Sequence, residues 1–284
     1  MVISDALVFG LFAMLAWGVG DFFMKLAADK FGTLRTQFVQ FIFGLIIALI
    51  LIYSFFPVPE FRWTHQLILL FIPFSILNIG GLLAYIEALR RGPVSLVAPI
   101  SSIYPIITAV LSVIFLKEYI TFIQWIAIFI VVAGVMLTSF SSFKKKASLS
   151  GIPFAIASFL MWGVLFVLFK PIVVQMGPIL PSLIVDAIGL VLLPIWLMQR
   201  GELSIPKVTI NRWAALMLTV VILGLAYPIF AIGLRISNAS IITAISSTYP
   251  AVIIILSVIF LKEKLHWWQI LGIFTIIIGM VLLG

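Results

Sequence analysis

The chain contains no cysteine, so disulfides, thiolate chemistry and cysteine-ligated metal are all excluded. Charge is nearly as scarce. Only 9% of the 284 residues are Asp, Glu, Lys or Arg, against roughly a quarter in a soluble domain. Acids number nine and histidines two, with His65 and His266 far apart and in no metal-ligand spacing. No Gly-rich phosphate loop with its lysine occurs, so nucleotide-driven work has no visible site. No cofactor is implied.

What is present is apolar: 64% of the positions, more than one globule of this size can bury. Lipid must therefore solvate much of the surface. A spanning helix needs about 20 mostly apolar residues, and such stretches recur at 5–27, 34–56, 66–88, 95–116, 121–140, 150–170, 178–199, 212–234, 239–261 and 265–283. Pro99, Pro105 and Pro250 interrupt the fourth and ninth. The expected fold is all-α and integral to the membrane, with ten transmembrane helices. The first stretch has no basic leader and runs too long for a cleaved signal, so it reads as a retained helix. Trp125, Trp267 and Trp268 fit an interfacial aromatic belt.

The net charge of +8 resembles a nucleic-acid signal until its placement is examined. Loops 1–2, 3–4, 5–6, 7–8 and 9–10 carry thirteen basic residues, among them Lys30, Arg35, Arg90, Arg91, Lys144, Lys145, Lys146, Arg200, Lys207 and Arg212. The other side carries Arg62, Lys117, Lys170 and Arg235. The positive-inside rule then places both termini outside the cytoplasm in a cell inner or plasma membrane. No nucleic-acid partner is expected.

A repeat emerges at an offset of 145 residues. Ile100-Ser101-Ser102-Ile103-Tyr104-Pro105 matches Ile245-Ser246-Ser247-Thr248-Tyr249-Pro250, and Leu111 to Glu118 matches Leu256 to Glu263 without a difference. Over 100–118 against 245–263, 13 of 19 positions are identical. The same offset pairs Trp17-Gly18 with Trp162-Gly163, Lys25 with Lys170, Arg90 with Arg235, Ser95 with Ser240 and Gln124 with Gln269. The expected organisation is a first five-helix repeat over 1–140, a basic cytoplasmic linker over 141–149 and a second repeat over 150–284. Five spans per copy is an odd number, so the copies insert with opposite topology. Inverted repeats are a common transporter architecture, with the substrate site near the midplane beside broken helices. One chain can form a whole pathway; a dimer is allowed but not required.

Polar groups at membrane depth are functional candidates by default. Trp17, Asp21 and Lys25 share one face of the first helix at i, i+4, i+8. They read either as a substrate or proton site or as an ion pair with Lys25 snorkelling to headgroups. Asp21 has Phe166 as its repeat mate, and Asp186, mid-span in the seventh helix, has Phe41. Both carboxylates break the symmetry and are candidates for proton coupling; Asp186 has the alternative of a hydrogen bond to a neighbouring helix. Ser101, Ser102 and Tyr104, with Ser246, Ser247 and Tyr249, surround prolines that free a backbone carbonyl. They read as cavity lining, or for the serines as helix packing. Trp162, Lys170, Tyr85 and Tyr227 complete the candidate substrate-binding set. Asn78, Gln37 and Gln40 are weaker candidates. Glu87 reads as part of an interfacial cluster with Arg90 and Arg91, and Glu118 and Glu263 as boundary markers and gate contacts.

Several of these positions, taken in order, carry a resemblance: Ala16-Trp17-Gly18, Glu87-Ala88-Leu89 leading into Ser95, Tyr104-Pro105, Leu116-Lys117-Glu118 and the region of Gly134. The second copy repeats it at Trp162-Gly163, Leu234 to Ser240, Tyr249-Pro250, Leu261-Lys262-Glu263 and Gly279. The chain resembles the drug/metabolite transporter superfamily, specifically its EamA-type ten-helix members. The resemblance implies two inverted five-helix repeats around a central cavity lined by helices 1, 3, 4, 6, 8 and 9. It also implies a secondary transporter of a small polar or zwitterionic, amino-acid-like metabolite, working by alternating access. The alternatives are a multidrug or lipophilic-cation exporter, a lipid-linked carrier of the same fold, and a non-transporting membrane enzyme. Against the last stands the lack of converging nucleophile, base or metal ligands.

Overall fold

A computed structural model describes residues 5–57, 59–92, 97, 100–139, 149–201, 210–262 and 264–284. Within these bounds the side chains of Lys25, Ala28, Asp29, Lys30, Ser139, Asn211 and Arg212 are likewise not described. Expectations for Ser95, Pro99, Lys207, Glu263 and most of the 141–149 linker lie outside the described residues, as does the side chain of Lys25.

Every regular element described is helical. The helices are α1 (Asp5–Phe31), α2 (Thr33–Ser54), α3 (His65–Arg91), α4 (Tyr104–Leu111), α5 (Phe122–Ser139), α6 (Ile152–Met176), α7 (Leu180–Gln199), α8 (Ile210–Ile236), α9 (Ala239–Ser246), α10 (Tyr249–Leu261) and α11 (Trp267–Leu283). A π-helical turn, Ser112–Leu116, continues α4. The ninth span is α9 and α10 together; among the described residues seven helical spans are long and apolar enough to cross a membrane, and Tyr104–Leu116, Phe122–Thr138 and Trp267–Leu283 are shorter apolar helices. Large apolar side chains such as Phe115, Phe122 and Val281 stand open on the outer surface, where acyl chains are their solvent.

Local sequence sets the helix ends. Proline occupies the first turn of α4, α6, α7 and α10, where its missing N–H removes a donor that would lack a partner. Thr64 caps α3 by accepting from Leu67 N, and His266 with Gln269 forms a capping box on α11. Lys117 and Lys262, repeat mates, both terminate their helices in the left-handed region at φ 56° and 55°. Their backbone N–H groups return to Ser112 O and Ser257 O respectively, also repeat mates.

The copies are interleaved. The most extensive contacts join α1 to α8, α3 to α6, α2 to α7 and α5 to α11, each across the two halves. The first two pairings are exchanged by the repeat and the last two map onto themselves, as a two-fold relation between the copies requires. On the periphery α5 and α11 meet backbone to backbone. A Cβ on Gly134 would lie 2.8 Å from Ile276 N, and one on Gly272 2.7 Å from Thr138 N. Small residues let helices approach this closely in a bilayer, where no hydrophobic force drives them together.

Candidate functional site

The two Trp-Gly dipeptides assemble the centre. Glycine brings helices into contact: a Cβ on Gly18 would lie 2.9 Å from Tyr249 O, and one on Gly163 2.5 Å from Ile107 Cβ. The neighbouring indoles thereby reach the tyrosine of the opposite half. Trp17 meets Tyr249 edge-on at 6.5 Å and Trp162 meets Tyr104 edge-on at 6.2 Å. A second pair obeys the same symmetry, Trp17 on Phe230 at 5.2 Å and Trp162 on Tyr85 at 5.3 Å. Phe166 bridges Trp17, Tyr104 and Phe230, and Tyr227 closes on Trp17 at 6.0 Å. These rings meet where the resemblance places the central cavity.

The helix breaks fall where the prolines place them. The chain leaves the helix after Ser101 and after Ser246 and resumes it at Tyr104 and Tyr249. Ser246, Ser247 and Thr248 donate to the carbonyls of Thr243, Ala244 and Ile245, so these hydroxyls re-satisfy the backbone. Ser101 Oγ is buried with no hydrogen-bond partner among the described residues. The tyrosine hydroxyls cross between halves, Tyr104 facing Ser246 and Tyr249 facing Ser102.

The two copies are not equally polar at the centre. Asp21 lies close enough to Tyr85 and Tyr249 for its charge to act on both hydroxyls. Its repeat mate Phe166 presents a ring at the equivalent place, toward Tyr104 and Phe230. Asp186 is the second exception. Its carboxylate rests on α2, where a Cβ on Gly44 would lie 2.5 Å from Oδ2, and its charge reaches Tyr227. Tyr227 in turn accepts from Asn78 Nδ2 at 3.3 Å.

The seat under Asp186 yields a prediction. Gly44→Ala should lower the melting temperature of the purified protein, since overpacking costs about 1–3 kcal/mol. In an Asp186→Ala background, where the space is vacated, the same change should cost less than half as much. Equal costs in the two backgrounds would show that Asp186 does not need this glycine.

Lys170 is not among the central rings. One turn beyond Phe166, its ammonium donates to Glu118 Oε1 at 2.7 Å and to Ser237 O at 2.8 Å. Glu118, buried after the α4 span, also accepts from Ala239 N at 2.7 Å, Ser240 N at 3.1 Å and Ser240 Oγ at 2.7 Å. It therefore caps α9 from the other half of the chain, where Asn238, the residue in the cap position, makes no side-chain cap. In the sequence Glu118 reads only as a boundary marker and gate contact, and neither Phe230 nor Gly44 stands out. The repeat offset could have found Phe230, as the mate of Tyr85.

On the opposite face, buried Glu87 accepts from Arg90 at 2.9 and 3.1 Å, from Arg91 at 2.6 Å and from Arg200 at 2.8 Å. This is the interfacial cluster expected there, with Arg200 added from α7. Among the described residues, no three His, Asp or Glu side chains are grouped to hold a metal ion.

The model of the EamA-like transporter family matches residues 5–140 and again 149–284. The chain belongs to the EamA-like transporter family. An uncharacterized transporter of Archaeoglobus fulgidus is 24% identical over 277 residues, covering 98% of this chain and 97% of that one. An uncharacterized protein of Methanocaldococcus jannaschii is 38% identical over 141 residues, which is 49% of this chain and 99% of that protein. That relative has about the length of one EamA repeat, as expected if the five-helix unit is the module. A crystal structure 16% identical superposes with a TM-score of 0.79 over 98% of this chain and 96% of its own, which shows the shared fold. The protein is thus a multi-pass EamA-family membrane transporter.

Proposed function

We propose that the protein is a secondary transporter of a small amine-bearing, zwitterionic metabolite, worked by alternating access. The feature that supports the substrate class is Asp21, one turn after Trp17 on α1, whose charge acts on Tyr85 and Tyr249 in a ring cluster built around Trp17 and Trp162. A carboxylate at this depth is costly unless a cation shares it, and ring faces add about 0.5–2 kcal/mol to a desolvated ammonium. Phenol hydroxyls beside it can bond the remaining polar groups of the solute. Two interleaved inverted halves support two conformations of similar energy, each opening the centre to one side. Asp186, facing Tyr227, is the candidate for proton coupling; Asp21 would bind either a proton or the amine. On the charge distribution, the Glu87 face is cytoplasmic and both termini lie outside.

The test is a thermal-shift screen of the purified protein against amino acids, sugars, nucleobases and lipophilic cations, since a ligand of the folded state raises apparent stability. An amino compound should stabilise the wild type, and Asp21→Asn should lower its affinity at least about tenfold, the factor that 1.4 kcal/mol represents. Wild-type affinity in Asp21→Asn would remove the carboxylate from recognition. The density of rings around Trp17 also suits a flat lipophilic cation, and stabilisation by such cations alone would favour an exporter of that class.

A further inference from the structure

The structure assigns a binding site for an anionic glycerophospholipid on the lipid-facing cleft between α3 and α7, with the headgroup phosphate held by Arg91 and Arg200. Both helices run toward the same membrane face, and their side chains climb toward it one turn at a time. On α3 the order is Leu82 and Leu83, then Glu87, then Arg91; on α7 it is Gly189, Leu192, Trp196 and Arg200. Leu82, Leu83, Gly189, Leu192 and Trp196 line an open groove floored by Phe41 of α2. Gly189 keeps the floor low, since a Cβ there would lie 2.5 Å from the Phe41 ring. The groove is therefore apolar throughout and ends under charge, which is the outline of an acyl chain beneath a phosphate.

The head of the groove is basic. Glu87 pairs with Arg90, Arg91 and Arg200, and among the described residues it is the carboxylate that Arg91 and Arg200 share. Arg200 uses one nitrogen on Glu87 and stacks at 4.5 Å on Trp196, a residue that lines the groove. Arg91 gives Glu87 its Nε and lies over Phe154 at 4.5 Å. Each guanidinium carries five donors in a planar fork that matches phosphate oxygens, so donors remain on both. Glu87 orients both forks, and Trp196, one turn before Arg200, is the residue type that marks a headgroup boundary. Basic pockets between helices on the positively charged side are where anionic headgroups bind.

Native mass spectrometry of the delipidated protein in detergent tests the assignment, with phosphatidylglycerol and phosphatidylcholine of identical chains as the two probes and glycerol phosphate as competitor. Phosphatidylglycerol should bind at least about fivefold more tightly. Arg91→Gln, which leaves Glu87 paired to Arg90 and Arg200, and the double change Arg91→Gln with Arg200→Gln should progressively erase that preference. Leu192→Trp, filling the groove, should weaken both lipids. Arg235→Gln, on the opposite face, should change nothing, and melting curves confirm that each variant is folded. An unchanged preference in folded Arg91→Gln would overturn the assignment, as would unchanged binding in Leu192→Trp. Displacement of the lipid by millimolar glycerol phosphate would overturn it too, by showing a free-anion site with no use for the groove.

Discussion

Glu118→Ala is expected to lower the melting temperature of the purified protein by more than about 5 °C and to abolish transport. One carboxylate of the first half holds two segments of the second: Lys170 on α6, and the first two backbone N–H groups and the Ser240 hydroxyl of α9. Removing one partner of a buried pair costs about 3–5 kcal/mol, because the remaining charge stays desolvated. The Lys170 side chain is 21% exposed and keeps the Ser237 carbonyl, which places the expected loss toward the lower end. Losing an N-terminal cap adds about 1 kcal/mol. Glu118→Gln should fall between wild type and alanine, since an amide oxygen still accepts from α9 but forms no ion pair. Lys170→Met in the Glu118→Gln background should cost far less than Lys170→Met alone. Additive losses would show that the two side chains act independently. Wild-type melting of Glu118→Ala would mean that the network contributes nothing.

Leucine at Gly272 is expected to have the other large effect, preventing accumulation of folded protein or lowering its melting temperature by about 10 °C. A Cβ there meets Thr138 N at 2.7 Å and Gly134 O at 2.8 Å, and backbone cannot step aside as a flexible side chain can. Ordinary overpacking costs about 1–3 kcal/mol, and here α5 and α11 must separate along their crossing. Gly134→Leu should behave alike, since its Cβ meets Ile276 N and Gly272 O. Ala133→Leu, one residue away and facing lipid, should be silent. Fluorescence-detected size exclusion on the three variants checks the contrast. A well-folded Gly272→Leu would show that the crossing can relax.

The helices and their order were legible in the sequence. Local chemistry suffices for them, because a long apolar run with proline in its first turn has one low-energy backbone in lipid. The ninth span breaks at Ser246-Ser247 before Pro250, as the motif predicts. The repeat offset gave more than helices. It identified Trp17 and Trp162, Tyr104 and Tyr249 as mates, and these are the residues that meet across the centre.

Which member of each set meets which was decided only by the tertiary structure. Lys170 stood in the sequence as a substrate-site candidate, and its ammonium is paired with Glu118, 52 positions earlier. Asp186 stood alone in its helix and lies against Gly44, from a different repeat. Such contacts leave no local period for a sequence to display. The clearest case is the segment Leu-Ser-Val-Ile-Phe-Leu, which occurs at 111–116 and at 256–261. It ends in a π-helical turn in the first copy and remains α-helical in the second. Local preference is identical in the two, so packing beyond the segment must choose. In the first copy Glu118 is drawn to the end of α9, and its N–H reaches back to Ser112 O at 3.2 Å. The sequence by itself determined two inverted copies of one five-helix unit, because hydrophobic runs and charge asymmetry are local. The ring cluster at the centre, its unequal polarity between the copies and the lock at Glu118 arise only when residues 52 or more positions apart are brought together.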